Sequence, residues 1–202
     1  MLAAMITSLP AHALRAELLG SLRGTVLELG PGAGVNLPYY APDVTWIGVE
    51  PAARHRARLR GTPAPFGVAD VRDGRAERLD LPSGCVDAVV ATYVLCSVDD
   101  PDAAISEIHR VLRPGGRYVV AEHVAAPDGT GLRRAQDIWG RVTGSFGARC
   151  RPNRRPEPAM HRAGFELTDV HRFVVRGPLG AGIPHIAGAA VRPAPTGRGT
   201  TP

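Results

Sequence analysis

The run Thr25-Val26-Leu27-Glu28-Leu29-Gly30-Pro31-Gly32-Ala33-Gly34-Val35-Asn36-Leu37 constrains this chain more than any other stretch. A short apolar segment suited to a buried parallel strand runs into a turn with glycine at alternate positions. With three Cβ atoms missing, the backbone can bend sharply and approach a ligand closely. The turn is expected to open a helix, whose exposed N–H groups favour an anion. A dinucleotide fingerprint would read G-x-G-x-x-G. Gly30 and Gly32 fit it, but Val35 stands at the last glycine position and Gly34 arrives one residue early. Glu28, just before the first glycine, repels a pyrophosphate and suits a cationic ligand. Trp46-Ile47-Gly48-Val49-Glu50 reads as a second strand ending in an acid. Glu50 lies about twenty residues past Gly30, the distance at which a carboxylate grips a ribose hydroxyl pair.

The rest of the chain alternates strand and helix. Ala11 to Leu22 reads as a helix, with Leu14, Leu18 and Leu22 at helical spacing, packed beside the first strand and flooring the ligand pocket. Leu37 to Tyr40 reads as a short helix ending before Pro42, its tyrosines either walling a pocket or packing under the sheet. Pro51 is the expected first residue of a helix running to about Arg60. Phe66 to Val71 is the expected third strand and Val86 to Ala91 the fourth, apolar enough for burial on both faces. Asp100 is the expected N-cap of a helix with Pro101 at its first position and Ile105, Ile108, Val111 and Leu112 on its buried face. Leu112 to Gly116 stops that helix, Arg117 to Glu122 forms the fifth strand, and His123 sits at its carboxyl end. This order implies a doubly wound, mostly parallel α/β sheet. Helices are expected within Gly131 to Gly147 and over Glu157 to Ala163, and strands over Phe165 to Val175 and His185 to Val191. Residues 1–192 are expected to form one domain, and 193–202, rich in proline, glycine and threonine, a disordered tail.

Glycine turn, upstream acid and ribose acid together resemble the S-adenosylmethionine site of class I methyltransferases. Leu112-Arg113-Pro114-Gly115-Gly116, preceded by Glu107-Ile108-His109-Arg110-Val111, is similar to the helix-to-strand turn of the small-molecule members. Glu28-Leu29-Gly30-Pro31-Gly32 with Asn36, Val94-Leu95-Cys96-Ser97-Val98, and Glu122-His123-Val124 resemble the alkyl-thiol methyltransferases, with the quinone-biosynthesis group as the other near relatives. The resemblance spans Thr25 to Val124. It implies a Rossmann-like sheet of seven strands whose last two form an antiparallel edge. It also implies S-adenosylmethionine as cofactor and methyl transfer to a small, partly apolar thiol, phenol or amine. Gly30, Pro31, Gly32 and Gly34 would floor the methionine part. Glu28 would act near its amino group, through a water or the turn, and Asn36 would orient the turn. Glu50 would hold the ribose, Ala76 and Glu77 would lie near adenine, and Thr92 and Tyr93 where the fourth strand meets the ligand. Members often place an acid just before the alanine. Arg75 stands there in this chain, which leaves adenine N6 to Asp73 or a backbone carbonyl, with the Ala76 N–H still in place. Residues 131–147 correspond to a substrate lid, to which Gly140, Gly144 and Gly147 would give mobility.

Methyl transfer from a sulfonium is an in-line displacement of a good leaving group, so the protein chiefly aligns the reactants. A base is needed only when the nucleophile starts out protonated. His123, at the ligand edge, is the candidate base, against the alternative of a packing histidine. Tyr93 is a candidate for orienting the substrate, His185 a lesser contact, and His109 too remote. Cys85, Cys96 and Cys150 are too few for a disulfide framework, and no pair has metal-ligand spacing, so no metal is expected. Cys96 reads as simply buried, and Cys150 as a thiol among arginines with no base beside it. Three scattered cysteines fit a reducing cytoplasm.

The net charge of +5 is carried by arginine alone, with no lysine, and permits an acidic partner without requiring one. Arg54, Arg56, Arg58 and Arg60, and Arg149, Arg151, Arg154 and Arg155, read as solvated faces. An anionic substrate or a peripheral membrane contact is the sharper alternative. Met1 to Pro10 is apolar but short, so neither a signal peptide nor the long apolar anchor of membrane-bound relatives is expected, and no apolar run is long enough to span a bilayer. Enzymes that methylate base nitrogens often carry Asn/Asp-Pro-Pro-Tyr where this chain has Ala91-Thr92-Tyr93-Val94, so no nucleic-acid partner is expected. A nucleic-acid methyltransferase and a non-catalytic S-adenosylmethionine-binding regulator are the competing readings. The missing third glycine counts against a dehydrogenase. Monomer and homodimer stay open.

Overall fold

A computed structural model describes residues 11–66, 68–145, 150–176 and 182–194. Helix α1 (Ala11–Gly20) leads into β1 (Thr25–Leu29), a 3₁₀ turn (Leu37–Tyr39), β2 (Thr45–Val49), α2 (Ala53–Arg60), β3 (Val68–Arg72) and β4 (Val86–Thr92). Then come α3 (Pro101–Val111), β5 (Leu112–His123), α4 (Gly131–Ser145), α5 (Pro156–Arg162), β6 (Glu166–Arg176) and β7 (Gly182–Val191). The strands form one sheet in the order β3-β2-β1-β4-β5-β7-β6. All neighbours are parallel through β5, whereas β7 pairs antiparallel with both β5 and β6. This is the doubly wound sheet that the alternating pattern implied, with the antiparallel edge that the resemblance implied. The expectations for Met1 to Pro10, Gly147, Arg149 and most of the tail lie outside the described residues.

Strand alternation divides the core in two. Leu27 and Leu29 point to one face, where Ile105, Ile108 and Val111 of α3 and Ala159 and Met160 of α5 cover them. Val26 points to the other, under Leu18 and Leu19 of α1, Leu59 of α2, Tyr40 and Trp46. The α3 start is as expected: Asp100 Oδ1 accepts from the Ala103 N–H at 3.1 Å, and Pro101 follows. Among the described residues, no helix is long and apolar enough to cross a membrane.

Four local expectations change. The glycine turn opens no α-helix: Gly30, Gly32 and Gly34 have φ of 55°, 55° and 79°, outside the right-handed helical region, and short-range bonds such as Gly34 N–H to Pro31 O lead into the 3₁₀ turn. Pro51 does not start α2, because the Glu50 carboxylate accepts the Ala52 N–H at 2.9 Å and holds residues 51 and 52 outside the helix. Phe66 lies outside β3, turned inward and stacked on Trp46 at 5.7 Å. Strand β5 begins at Leu112, and Pro114-Gly115-Gly116 is absorbed as an irregularity between the pairs Val86–Leu112 and Ala88–Arg117.

Candidate functional site

The parallel strands end together, and their carboxyl ends carry the site, as open α/β sheets dictate. The Gly30 N–H donates to Val49 O at 2.9 Å and the Glu50 N–H to Arg72 O at 3.1 Å, which fixes the ends of β1, β2 and β3 relative to one another. Beyond them opens a cavity of about 660 Å³. Gly30 and Gly32 form one side, Glu50 another, Ala76 and Glu77 a third, and Tyr93, Val94 and Ser97 a fourth.

Glu50 is only 5% exposed yet faces this cavity. Its Oε2 accepts the Gly32 N–H at 3.0 Å, so the acid is locked to the glycine turn. A Cβ on Gly30, at positive φ, would meet Val94 Cγ2 at 3.1 Å, so the turn and the loop after β4 approach as closely as glycine allows. A Cβ on Gly32 would meet nothing nearer than 3.9 Å, and that open backbone is the cradle a ligand can enter. A side-chain-free bend, a carboxylate at ribose distance and a cavity of nucleoside size fit S-adenosylmethionine.

Glu28 lies behind the glycine turn, so any effect on a ligand passes through the turn. It is 1% exposed and is not among the cavity-lining residues. Asn36 Nδ2 donates to its Oε1 at 2.9 Å, while the Tyr40 hydroxyl and Trp46 Nε1 donate to its Oε2 at 2.9 and 3.0 Å. Burial pushes its pKa above the ordinary carboxylate value although three donors oppose the shift. Asn36 also donates to Thr92 Oγ1 at 2.9 Å and accepts from Arg15 Nε at 3.0 Å. Glu28, Asn36, Thr92 and Tyr40 therefore form a buried clamp behind the turn. Gly34 belongs to the same layer, since a Cβ there would meet Leu37 Cδ1 at 2.9 Å. Pro31 is buried in the turn and accepts the Gly34 N–H. Leu14, Arg15, Leu18 and Leu19 of α1 line a separate small cavity with Thr92 and Tyr93, so α1 does not floor the main one.

At the edge of the cavity formed by Ala76 and Glu77, Arg75 stands in place of an acid but leaves a carboxylate in reach. It donates to Glu77 Oε1 at 3.0 Å and Asp99 Oδ2 at 2.5 Å, and the Asp99 N–H also reaches Glu77 at 2.8 Å. Burial pushes the Glu77 carboxyl up, but these donors outweigh it and hold the group below its ordinary value. Asp73, the expected substitute, instead forms a two-pronged pair with Arg56 at 2.9 and 3.1 Å outside the cavity lining. Much of the arginine charge is engaged in this way: Arg60 donates to Val71 O, Arg154 to Val98 O, and Arg155 pairs with Asp128.

Tyr93 is the one non-glycine among the described residues at positive φ, 57°. A side chain in that region costs about 1–2 kcal/mol and persists only where neighbours over-determine it. Here the Tyr93 N–H donates to Ala121 O at 2.8 Å, and the next two N–H groups donate to Glu122 Oε1 at 2.6 and 2.8 Å. Glu122, to which the sequence assigns no role beyond ending the fifth strand and sharing a family motif, is thus the anchor of the loop. Burial first, then the neighbouring Cys96, pushes it up to about 8. The signal available for it was an acid closing an otherwise apolar strand. The anchored Tyr93 ring stands 44% exposed on the cavity, 5.7 Å from the His123 ring and 5.8 Å from that of His185. His185 itself bonds Ile183 O and stacks on Phe173, a packing role. His123 meets Cys150: Nε2 and Sγ are 2.8 Å apart. Cys96 joins them, so three residues that no spacing pattern links come together behind Tyr93.

A methyltransferase domain family matches residues 27–120. The chain is 31% identical to a human thiol S-methyltransferase over 87% of its own length and 77% of the relative's. It is 36% identical to a phosphatidylethanolamine N-methyltransferase of Cereibacter sphaeroides over 52% of its own length, spanning 54% of that protein. In fold it resembles an S-adenosylmethionine-dependent methyltransferase of Mesorhizobium loti, with TM-score 0.64 and 19% identity, over 90% of this chain and 96% of the other.

Proposed function

Because the chain belongs to the class I S-adenosylmethionine-dependent methyltransferases, we propose that its acceptor is a small, partly apolar thiol. The observation that carries the reading is the meeting of Gly32, Glu50 and Tyr93 on one cavity, with His123 directly behind the tyrosine. Bound there, S-adenosylmethionine supplies a methyl group on a positively charged sulfur. The open backbone at Gly30 and Gly32 lies under the methionine part. Glu50 accepts from the ribose hydroxyls with the lone pairs that Gly32 and Ala52 leave free, and Ala76 and Glu77 flank the adenine. Pro31, Gly34, Asn36, Glu28 and Thr92 act from behind by keeping the turn open.

On the acceptor side Tyr93 positions the substrate, its strained backbone directing the ring at the cavity. An ordinary thiol, with a pKa of about 8.5, is mostly protonated at neutral pH and a poor nucleophile in that form. His123 serves this step by favouring the thiolate. The thiol S-methyltransferase relative, matched over most of both chains, supports the thiol over the phenol and amine alternatives. The three cysteines, none of them in a disulfide, fit a reducing compartment such as the cytoplasm. Residues 1–192 act as one domain, since β6 and β7 complete the sheet that holds the donor cavity.

A labelled-methyl transfer screen across alkyl thiols, phenols and amines tests this. Label moves to thiols if the reading holds. Transfer confined to phenols or amines refutes the acceptor, and absence of S-adenosylmethionine binding refutes the donor site.

A further inference from the structure

Cys96 lies in the loop after β4, His123 ends β5, and Cys150 precedes α5. The two sulfurs and an imidazole nitrogen all lie within 4.8 Å of one another, and His123 Nε2 is 2.8 Å from Cys150 Sγ. The backbone holds the three together. The Arg151 N–H donates to Cys96 O at 2.7 Å, which ties the Cys150 segment to the β4 loop, and the Ala125 N–H donates to Arg154 O at 2.9 Å, which ties it to the end of β5. Cys96 is buried, and His123 and Cys150 are half-buried.

Two sulfurs and one imidazole nitrogen are a soft donor set, the kind that selects zinc-like ions over magnesium or calcium. Three protein ligands rather than four is the pattern of zinc sites that keep one coordination position for a reactant. The location suits a reactant. Cys96 Sγ is 3.5 Å from Tyr93 O, and the Tyr93 ring, 5.7 Å from that of His123, lines the donor cavity. We propose that Cys96, His123 and Cys150 bind one thiophilic divalent ion, zinc in chemistry, whose fourth position takes the acceptor thiol. The role for the thiol rests on the acceptor reading given above; the ion site itself rests on the three side chains.

The chemistry balances. A thiol entering the fourth position loses its proton to solvent and binds as thiolate, because a coordinated thiol is deprotonated. A new bond forms from that sulfur to the methyl carbon as the methyl–sulfonium bond breaks, and the electron pair stays on the departing S-adenosylhomocysteine sulfur. The thioether product is neutral, a weaker ligand than the thiolate, and departs. His123 then acts as a ligand, and the solvent is the proton's destination. Metal–ligand bonds of about 2.3 Å to sulfur and 2.0 Å to nitrogen in a tetrahedron put the two atoms about 3.5 Å apart. His123 and Cys150 therefore move apart by about 0.7 Å when the ion enters.

The test uses the full chain, purified under a thiol reductant, stripped with a chelator and titrated with Zn²⁺ by calorimetry and with Co²⁺ by absorption. The expected result is one ion per chain and a thiolate-to-cobalt charge-transfer band. Cys96→Ser and Cys150→Ser should each weaken the binding at least 100-fold, whereas Cys85→Ser should not change it. S-adenosylmethionine binding by each variant checks that it is folded. If a serine variant fails that check, the cobalt band of the unaltered protein decides by itself, and its absence overturns the site. Zinc affinity indifferent to both serine substitutions overturns it as well, as does a Cys96–Cys150 disulfide that persists under reductant. Thiol methylation at full rate in the stripped protein overturns the ion's role and leaves the thiol reading standing. Ion binding without methylation of any thiol overturns both.

Discussion

Glu28→Gln separates a cofactor-contacting carboxylate from a buried clamp. The substitution keeps size and removes charge and one acceptor. In the structure Oε2 receives two donors, Tyr40 and Trp46, and Oε1 receives Asn36 Nδ2. A glutamine can keep its oxygen at the first place, but its amide nitrogen then faces the Asn36 amide nitrogen. Turning Asn36 over only moves the conflict, because its Oδ1 already accepts from Arg15 Nε. One buried donor–donor pair therefore remains, at a cost of about 1–3 kcal/mol. The two surviving bonds also lose their charge assistance, whereas a neutral amide is easier to bury, and these two effects oppose each other. The net expectation is a loss of about 2 kcal/mol, which for a chain of this size lowers Tm by about 4–8 °C. Denaturant unfolding followed by tryptophan fluorescence reads it, since Trp46 is buried and touches the clamp while Trp139 is 58% exposed. S-adenosylmethionine affinity, measured by calorimetry, should change less than about threefold, or about 0.7 kcal/mol. The pH profile adds a sign. Burial raises the native pKa of Glu28 above its ordinary 4.5, so between that value and the native one the folded state holds the extra proton. Wild-type stability from this group then falls as pH rises through that window, and Glu28→Gln removes the slope. A variant as stable as wild type but at least tenfold weaker in binding would refute the clamp and return Glu28 to the ligand.

The remaining expectations are simpler. Glu50→Ala should weaken S-adenosylmethionine binding by about 1–3 kcal/mol, the usual cost of leaving polar partners unmet; unchanged calorimetric affinity removes Glu50 from the site. His123→Ala should slow thiol methylation with donor binding nearly intact, and unchanged turnover excludes any catalytic part for it. Arg110→Ala should cost about 1–2 kcal/mol in denaturant unfolding, because its guanidinium donates to Leu79 O at 3.0 Å and Leu81 O at 2.7 Å on the half-exposed rim. Arg110 also holds the Glu107 carboxyl below its ordinary value, chiefly by hydrogen bonding, so the pair's contribution is present above pH 4.5 and fades as pH falls through the lowered native value. That acid-side loss should be smaller in Arg110→Ala, where the Leu79 N–H still donates to Glu107 at 2.8 Å, and an identical acid limb in both proteins would refute the pairing.

The doubly wound sheet was legible because it depends on local periodicity. Apolar runs such as Val86 to Ala91, each followed by a capped helix or a glycine stop, admit few arrangements other than a doubly wound sheet. The glycine turn and Glu50 were legible for the same reason, since backbone bending and a fixed strand-to-strand distance follow from sequence spacing. What could not be read was contact between residues distant in the chain. Cys96, His123 and Cys150 leave different elements, and two loop pairings, Arg151 with Cys96 and Ala125 with Arg154, bring them together. The left-handed turn at Tyr93 was equally hidden, because Glu122, far along the chain, is what holds the following N–H groups in place.

Glu28 lies between these cases, and its placement shows where reading by motif and reading by physics diverge. An acid before a glycine turn suggests a ligand contact if the motif is taken as a list. Strand alternation says otherwise: Leu27 and Leu29 share one face, so Glu28 shares the opposite face with Val26. Across the β1–β2 pairing Glu28 lies beside Gly48. A Cβ at Gly48 would fall 2.2 Å from Trp46 Cη2, so the missing side chain lets the indole fold across the sheet until its N–H meets the carboxylate. The nearby aromatic donors, Tyr40 and Trp46, and the amide of Asn36 were all in the sequence within twenty residues of Glu28. A carboxylate on a buried face requires such partners, whereas a ligand absent for part of the enzyme's cycle could not satisfy it. Of these two acids, the one that faces the cavity is accordingly Glu50, at its strand's end, and Glu28, within its strand, supports the turn from behind.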